Sequence, residues 1–234
     1  MGMDKVVLGA IWYVVFLVSV TLHEAAHGLA ATFLGDRTAY HHGLVSIDPL
    51  PHIRRSPFGM VIVPILSFIL GGWMIGWAST PYDPFWARSN RRKAALMALA
   101  GPVANLLLVF AAAAAIRAGV FAGIFYAPEH VTFDQVTASA STSVEAFAAI
   151  LISILFTLNL VLLTFNLIPL PPLDGSNLLL LFLNERMAER YEALLYHPTY
   201  MIIGLVIAWQ VFGPVFGWVH LQALNILYPG AGYY

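Results

Sequence analysis

Four long apolar stretches constrain the fold of this chain more than any other feature of its sequence. They cover about residues 6–34, 94–115, 146–165 and 200–219, and each reaches the roughly 20 residues that a helix needs to cross a bilayer. The composition agrees, since 60% of the residues are apolar and 10% are charged. We therefore expect an all-α polytopic membrane protein that forms one membrane-embedded domain over residues 1–234.

The charge balance and the cysteine count exclude several classes of function. Eleven basic residues against twelve acidic ones provide no basic face for nucleic acid. The chain has no cysteine, which excludes disulfides, thiolate metal ligands and a cysteine nucleophile. The apolar run near the N-terminus continues past its first ionisable residues without a small-residue cleavage pattern, so we expect a retained helix and not a secretory signal.

The sequence HEAAH at residues 23–27 lies within the first apolar stretch. On a helix, His23 and His27 share one face, so their imidazoles can bind one metal ion, and Glu24 lies beside it. Glu24 can then take a proton from a water molecule on that metal. Ionisable groups in an apolar helix cost several kcal/mol unless they are paired, coordinated or hydrated. A metal site is the favoured interpretation, and a structural cluster of satisfied polar groups is the alternative.

A second polar motif, NLIPLPPLDG at residues 166–175, follows the third apolar stretch. Its prolines end the preceding helix, and irregular backbone at membrane depth is tolerated only inside protein or beside a water-filled cavity. Asp174 is therefore a candidate third metal ligand, since a catalytic zinc site needs three protein ligands and an open position. The alternative is an ordinary turn at the membrane surface ending in Asp-Gly.

Together these two motifs resemble those of the site-2 protease family of intramembrane zinc metalloproteases (peptidase M50-like). Three further segments resemble a small bacterial-type branch of that family that has no PDZ or CBS domain. They are IDPLPHI with PFG at residues 47–53 and 57–59, GWA at 76–78, and AGPVAN at 100–105, the last being similar to a helix opening. Two departures from the branch pattern, RRS at 54–56 and Ser79 in place of a lysine, concern only contacts with the substrate.

The resemblance implies the site residues and the cofactor. It implies one Zn²⁺ per chain, bound by His23, His27 and Asp174, with Glu24 as the catalytic acid and base. It also implies a role in substrate binding for Asn166. His52 lies in a matched loop and is a further candidate for substrate binding. Asn105 either lines the water path to the site or bonds to a neighbouring helix, and Asn159 is a similar packing candidate.

A fifth apolar stretch, residues 58–79, is interrupted by four glycines and by Pro64. The histidine pair and Asp174 both lie near the C-terminal ends of their helices, so these ends must face the same side of the membrane. A full crossing by residues 58–79 would reverse the later helix, and we therefore expect a re-entrant hairpin. With that hairpin, nine of the eleven basic residues share the active-site side, which places it toward the cytoplasm.

The sequence thus predicts a zinc endopeptidase in the bacterial cell membrane that hydrolyses a peptide bond within or near a transmembrane segment of a partner protein. The expected partners are that substrate and the lipid bilayer, with no nucleic acid, and the oligomeric state stays open. Two alternatives remain. A metal-ion transporter would have ligands at several depths in the bilayer, and a catalytically inactive membrane scaffold would have no need of Glu24.

Overall fold

The computed structural model describes residues 4–141 and 144–233. Within these ranges the regular structure is helical, and the β contacts are two isolated bridges. The α-helices are α1 (Lys5–Leu34), α2 (Thr38–His41), α3 (Pro49–Arg55), α4 (Val63–Gly71), α5 (Pro84–Ser89), α6 (Arg91–Phe121), α7 (Val144–Asn166), α8 (Asp174–Leu178), α9 (Glu185–Leu195) and α10 (Pro198–Leu227).

Four of these helices, α1, α6, α7 and α10, are long and apolar enough to cross a membrane. They confirm the expected all-α membrane fold. Each begins or ends a few residues beyond the apolar stretch that predicted it, because backbone hydrogen bonding continues into polar sequence. The capping groups mark these ends: the side chain of Asp4 accepts a hydrogen bond from the Val6 N–H, and Gly35 closes α1 with a φ of 112°.

Helix α6 lies at the centre of the bundle, where it packs against both α1 and α7. The two largest clusters of the buried core follow these contacts. One cluster joins α1 to α4 and α7 around Trp12 and Phe16, and the other joins α6, α7 and α10 around Ile116 and Phe156. This arrangement brings α6 behind the face of α1 that carries both histidines.

Residues 58–79 form the expected re-entrant hairpin. One π-helical turn (Phe58–Ile62) continues into α4, which Gly72 caps with a φ of 78°, and the chain then returns without regular secondary structure. The N–H of Trp77 donates to the carbonyl of Gly59 over 3.1 Å, and the N–H of Ile75 donates to the Ser67 hydroxyl over 3.0 Å. Since entry and exit lie side by side, this segment makes no net crossing.

Two features of the hairpin region explain its shape. A Cβ added to Gly76 would meet the Gly59 carbonyl and the ring of Phe16, so glycines permit the two arms to touch. The helical arm is bent by 115° from α3, at the break between Arg55 and Phe58. The hairpin therefore turns sharply into the bundle from a short helix that precedes it.

The AGPVAN segment lies inside α6, which begins at Arg91, and does not open that helix as the resemblance suggested. Pro102 has no N–H, so it leaves the carbonyl of Ala98 without its usual helical donor. The helix nevertheless continues on both sides, because it packs against α1 and α7 along its length.

Candidate metal centre

Helix α1 places His23 and His27 on one face, one turn apart. Both residues are buried, and their Nε2 atoms lie 3.1 Å apart. His23 stands roughly three turns and His27 roughly two turns before the end of α1, within a continuous apolar helix. The spacing of the HEAAH motif therefore produces a pair of inward-facing imidazole nitrogens in a helix that is long and apolar enough to cross a membrane.

Asp174 reaches the same point from the far end of the sequence. After α7 ends at Asn166, residues 167–173 turn through three prolines, and Asp174 then begins α8. Its Oδ2 atom lies 3.2 Å from His23 Nε2 and 3.3 Å from His27 Nε2. A Cβ on Gly175 would lie 2.6 Å from the Ile168 carbonyl oxygen, so glycine permits this tight return.

The three donor atoms fit a zinc ion. Donors that occupy tetrahedral positions at bond lengths of about 2.0–2.1 Å are separated by about 3.3 Å, and the three separations observed are 3.1, 3.2 and 3.3 Å. Oδ2 of Asp174 is buried and has no hydrogen-bond partner, as expected of an oxygen that faces a cation. Among the described residues, this is the one group of three or more such side chains arranged to bind a metal ion.

Helix α6 supports both imidazoles from behind. Nδ1 of His27 lies 2.8 Å from the carbonyl oxygen of Met97, and Nδ1 of His23 lies 2.6 Å from Oδ1 of Asn105. Gly101 lies between these contacts, and a Cβ there would come within 2.6 Å of His23 Nε2 and still closer to His27. The glycine of the AGPVAN segment therefore lets α6 approach the donor atoms directly.

Glu24 lies beside the histidines and is also buried. The Thr80 hydroxyl lies 2.8 Å from Oε2 of Glu24 and 2.9 Å from its backbone carbonyl oxygen. Thr80 follows the return arm of the hairpin, which thus reaches the candidate acid and base. Sequence reasoning did not identify Thr80, because one threonine in a polar segment carries no pattern.

Comparison with known protein families settles the ancestry of this site. A family model described as Peptidase family M50 matches residues 11–209, a range that includes every residue of the metal centre described above. The chain belongs to peptidase family M50. This confirms the resemblance read from the five sequence motifs.

Similar M50-type sequences carry metalloprotease names. The chain is 34% identical over 167 residues to the Bacillus subtilis protein "Putative zinc metalloprotease YwhC", which covers 71% of this chain and 66% of that protein. It is 32% identical over 160 residues to "Putative zinc metalloprotease Rip2" of Mycobacterium tuberculosis, which covers 68% of this chain. The chain spans about half the length of Rip2 and just under two thirds of YwhC. No solved structure matches.

The other predicted site residues of this M50 chain lie outside the donor cluster. The amide nitrogen of Asn166 donates to the Leu162 carbonyl one turn earlier in α7, over 3.0 Å. His52 is 1% exposed, and its Nε2 lies 3.1 Å from the Ser46 carbonyl oxygen. The roles of Asn166 and His52 in substrate binding stay predictions.

Asp36 anchors the segment that follows the return arm to the end of α1. Its two carboxylate oxygens accept hydrogen bonds from the N–H and hydroxyl of Thr38 and from the N–H of Asp83. Burial alone raises the pKa of a carboxyl group, but these hydrogen bonds hold the pKa of Asp36 below its ordinary value. The stability that Asp36 contributes is thus present at neutral pH and is lost as pH falls through that lowered pKa.

Proposed function

We propose that this M50 chain is an intramembrane zinc metalloprotease that hydrolyses a peptide bond within or near a transmembrane segment of a partner protein. The observation that carries this proposal is the convergence of His23, His27 and Asp174 among helices long and apolar enough to cross a membrane, with Glu24 beside them. Family membership and the names of the similar proteins support a zinc metalloprotease.

Each residue of the site has a distinct task in this reaction. A zinc ion on His23, His27 and Asp174 would polarise the scissile carbonyl and lower the pKa of a water molecule. Glu24 takes the proton from the attacking water and passes it to the leaving nitrogen. We assign the N–H of Asn166 that does not bond to Leu162 to the backbone of the substrate, and we place His52 and Asn105 near the path of substrate and water.

The substrate class follows from the depth of the site. A transmembrane helix already uses its carbonyl groups in internal hydrogen bonds, so it must unwind locally before Glu24 and water can act on it. Residues that weaken helices near the scissile bond should therefore favour cleavage. The basic residues support an active site toward the cytoplasm, because nine of them lie on its side of the membrane and two, Lys5 and Arg117, lie on the other.

The decisive experiment replaces Glu24 with glutamine, which keeps the size and hydrogen-bonding capacity of the side chain. Purified wild-type protein and the Glu24→Gln variant are reconstituted in liposomes with a reporter transmembrane helix. We expect about one zinc per chain in both proteins and a loss of cleavage of roughly 10²–10⁴-fold in the variant, since that is what general-base catalysis contributes.

Two other results would identify a different function. Zinc flux into the liposomes without reporter cleavage would indicate the metal-ion transporter. Zinc binding with neither flux nor cleavage, across a panel of helices with glycine or proline near the centre, would indicate the inactive scaffold. A Glu24→Gln rate within about tenfold of wild type would contradict the role assigned to Glu24.

A further inference from the structure

A chain of buried polar groups connects the metal centre to helix α7. Asn105, Asn159 and Ser19 come from α6, α7 and α1, and each is fully buried. Nδ2 of Asn105 lies 2.8 Å from Oδ1 of Asn159, and Nδ2 of Asn159 lies 2.9 Å from the Ser19 hydroxyl. Asn105 in turn contacts Nδ1 of His23 over 2.6 Å. The sequence indicated only helix packing for Asn159.

A main-chain contact of Asn159 fixes the direction of every hydrogen bond in this series of polar groups. Asn159 also lies 2.8 Å from the main-chain carbonyl oxygen of Leu155. A carbonyl oxygen only accepts, so Asn159 must present its NH₂ group there and its Oδ1 toward Asn105. Asn105 must then donate to Asn159 and turn its own Oδ1 toward His23. Nδ1 of His23 must therefore carry the hydrogen.

This tautomer is the one that a metal ligand requires. With the hydrogen on Nδ1, the Nε2 atom of a neutral imidazole has a free lone pair, and Nε2 is the atom that faces Asp174 and His27. If Asn105 were free to rotate its amide by 180°, its NH₂ group would face Nδ1 and favour a hydrogen on Nε2. That hydrogen would occupy the metal-facing position.

We propose that Asn159 is a positioning residue that fixes the metal-binding tautomer of His23 through Asn105. The proposal depends on the zinc site of the proposed function and is independent of whether the chain cleaves a substrate. Outer partners of metal-bound histidines typically change metal affinity by 10–100-fold when they are removed. Asn105 is such an outer partner of His23. Asn159 lies one side chain further from the metal site, on α7, and acts on His23 through Asn105.

His27 provides a control within the same site. Its Nδ1 faces the main-chain carbonyl of Met97 directly, so no side chain is needed to set its tautomer. A change at Asn159 should therefore alter the ring nitrogens of His23 and leave those of His27 as they are.

The test compares Asn159→Leu, which removes both ends of the amide at similar volume, with Thr157→Val as its matched control. Thr157 lies two residues earlier in α7, is fully buried, and its hydroxyl has no hydrogen-bond partner. Metal-free protein labelled with ¹⁵N-histidine is measured by NMR at alkaline pH, and zinc affinity is measured by competition with a chelator.

We expect the wild type and Thr157→Val to show His23 with hydrogen on Nδ1 alone. Asn159→Leu should show a mixture of His23 tautomers, unchanged His27 signals and zinc affinity weakened about tenfold. Unchanged His23 signals and zinc affinity in Asn159→Leu would overturn the proposal. Equal shifts at His23 and His27 would also overturn it, since they would indicate general loss of packing.

The Asn105→Asp variant tests whether Asn159 acts by orienting the Asn105 side chain or only by packing against it. A carboxylate accepts from Nδ1 of His23 whichever way it is turned, so it needs no partner to orient it. In this background we expect Asn159→Leu to change zinc affinity by less than about twofold, whereas a packing role would retain the full loss of about tenfold. The full loss in the double variant would overturn the proposal. All of these readouts are independent of proteolysis, so a chain that binds zinc but cleaves nothing can still support or refute it.

Discussion

Among the residues that the structure describes, Thr80 is the one whose side chain donates a hydrogen bond to the carboxylate of Glu24. Its hydroxyl lies 2.8 Å from Oε2 and 2.9 Å from the Glu24 carbonyl oxygen, so its one hydrogen is shared between the reactive group and the helix that carries it. A hydrogen bond to a charged group contributes about 1.5–3 kcal/mol. Thr80 therefore restricts where the carboxylate can lie relative to the donor cluster.

We predict that Thr80→Val lowers kcat by about tenfold to a hundredfold, because a small displacement of a reacting group has effects of this size. KM and zinc content should stay near the wild-type values, since the change removes neither a ligand nor a contact assigned to the substrate. The measurement is steady-state cleavage of the reporter helix, with zinc determined on the same samples.

Thr80→Ser is the matched control, because it keeps the hydroxyl and removes only the methyl group. We expect its kcat to lie within about threefold of wild type, as the donor is retained. If serine lowered kcat as much as valine, keeping the hydroxyl would not preserve activity, and the positioning role of the hydroxyl would be wrong.

At this scale the sequence predicts some side chains of the site and not others. His23, Glu24 and His27 form a local pattern with a fixed helical spacing, and Asp174 stands at a helix break where a buried carboxylate needs a cation or a hydrogen-bond donor. Thr80 and Asn159 have no such pattern. Their roles depend on contacts between residues 56 and 140 positions apart in the chain, which periodicity within one helix does not encode.

At the scale of elements, the turn between α7 and α8 is held in place by α10. A Cβ on Gly204 of α10 would meet the carbonyl oxygen of Pro171, which is three residues before Asp174. The backbone of that turn therefore rests directly on the surface of α10. The position of Asp174 depends on this contact, although α10 supplies no ligand itself.

We predict that Gly204→Ala weakens zinc affinity by about tenfold and lowers the free energy of unfolding by roughly 1–3 kcal/mol, since the added methyl group must displace backbone. Gly217→Ala in the same helix is the control, because its Cβ would meet nothing within 4 Å. Alanine should stabilise that position slightly through helix propensity. Thermal unfolding in detergent and zinc competition measure both effects, and equal behaviour of the two variants would contradict the role of Gly204.

The four spanning helices and the hairpin were predictable from sequence, because hydropathy and glycine and proline positions specify them directly. The ends of these helices were less predictable from the sequence. Helix α6 begins three residues before the apolar stretch that predicted it, with three consecutive basic residues, Arg91, Arg92 and Lys93. A hydropathy criterion excludes such residues from a membrane span, but their backbone is helical. The side chain of Arg91 donates a hydrogen bond to Glu192 of α9.

At the scale of the whole molecule, the hairpin determines which side of the membrane each connection occupies. Its two arms meet at Gly59 and Trp77, so the segments before and after it lie on one side. We propose that this side is the cytoplasm, which the positive-inside rule favours, and the connection between α6 and α7 would then lie on the opposite side. The absence of native cysteines allows each connection to be probed by one introduced thiol.

We predict that Ile47→Cys and Phe85→Cys share one labelling pattern and Glu129→Cys shows the opposite one. All three positions are exposed. In intact cells, a membrane-impermeant maleimide should label only Glu129→Cys, and after the inner membrane is opened it should label all three. A hairpin that crossed fully would instead place position 85 opposite position 47, and position 129 on the same side as position 47, because α6 separates positions 85 and 129 in either case. That result would put the ends of α1 and α7 on opposite sides of the membrane, where His23 and Asp174 could not share one ion, so this measurement tests the topology and the metal centre together.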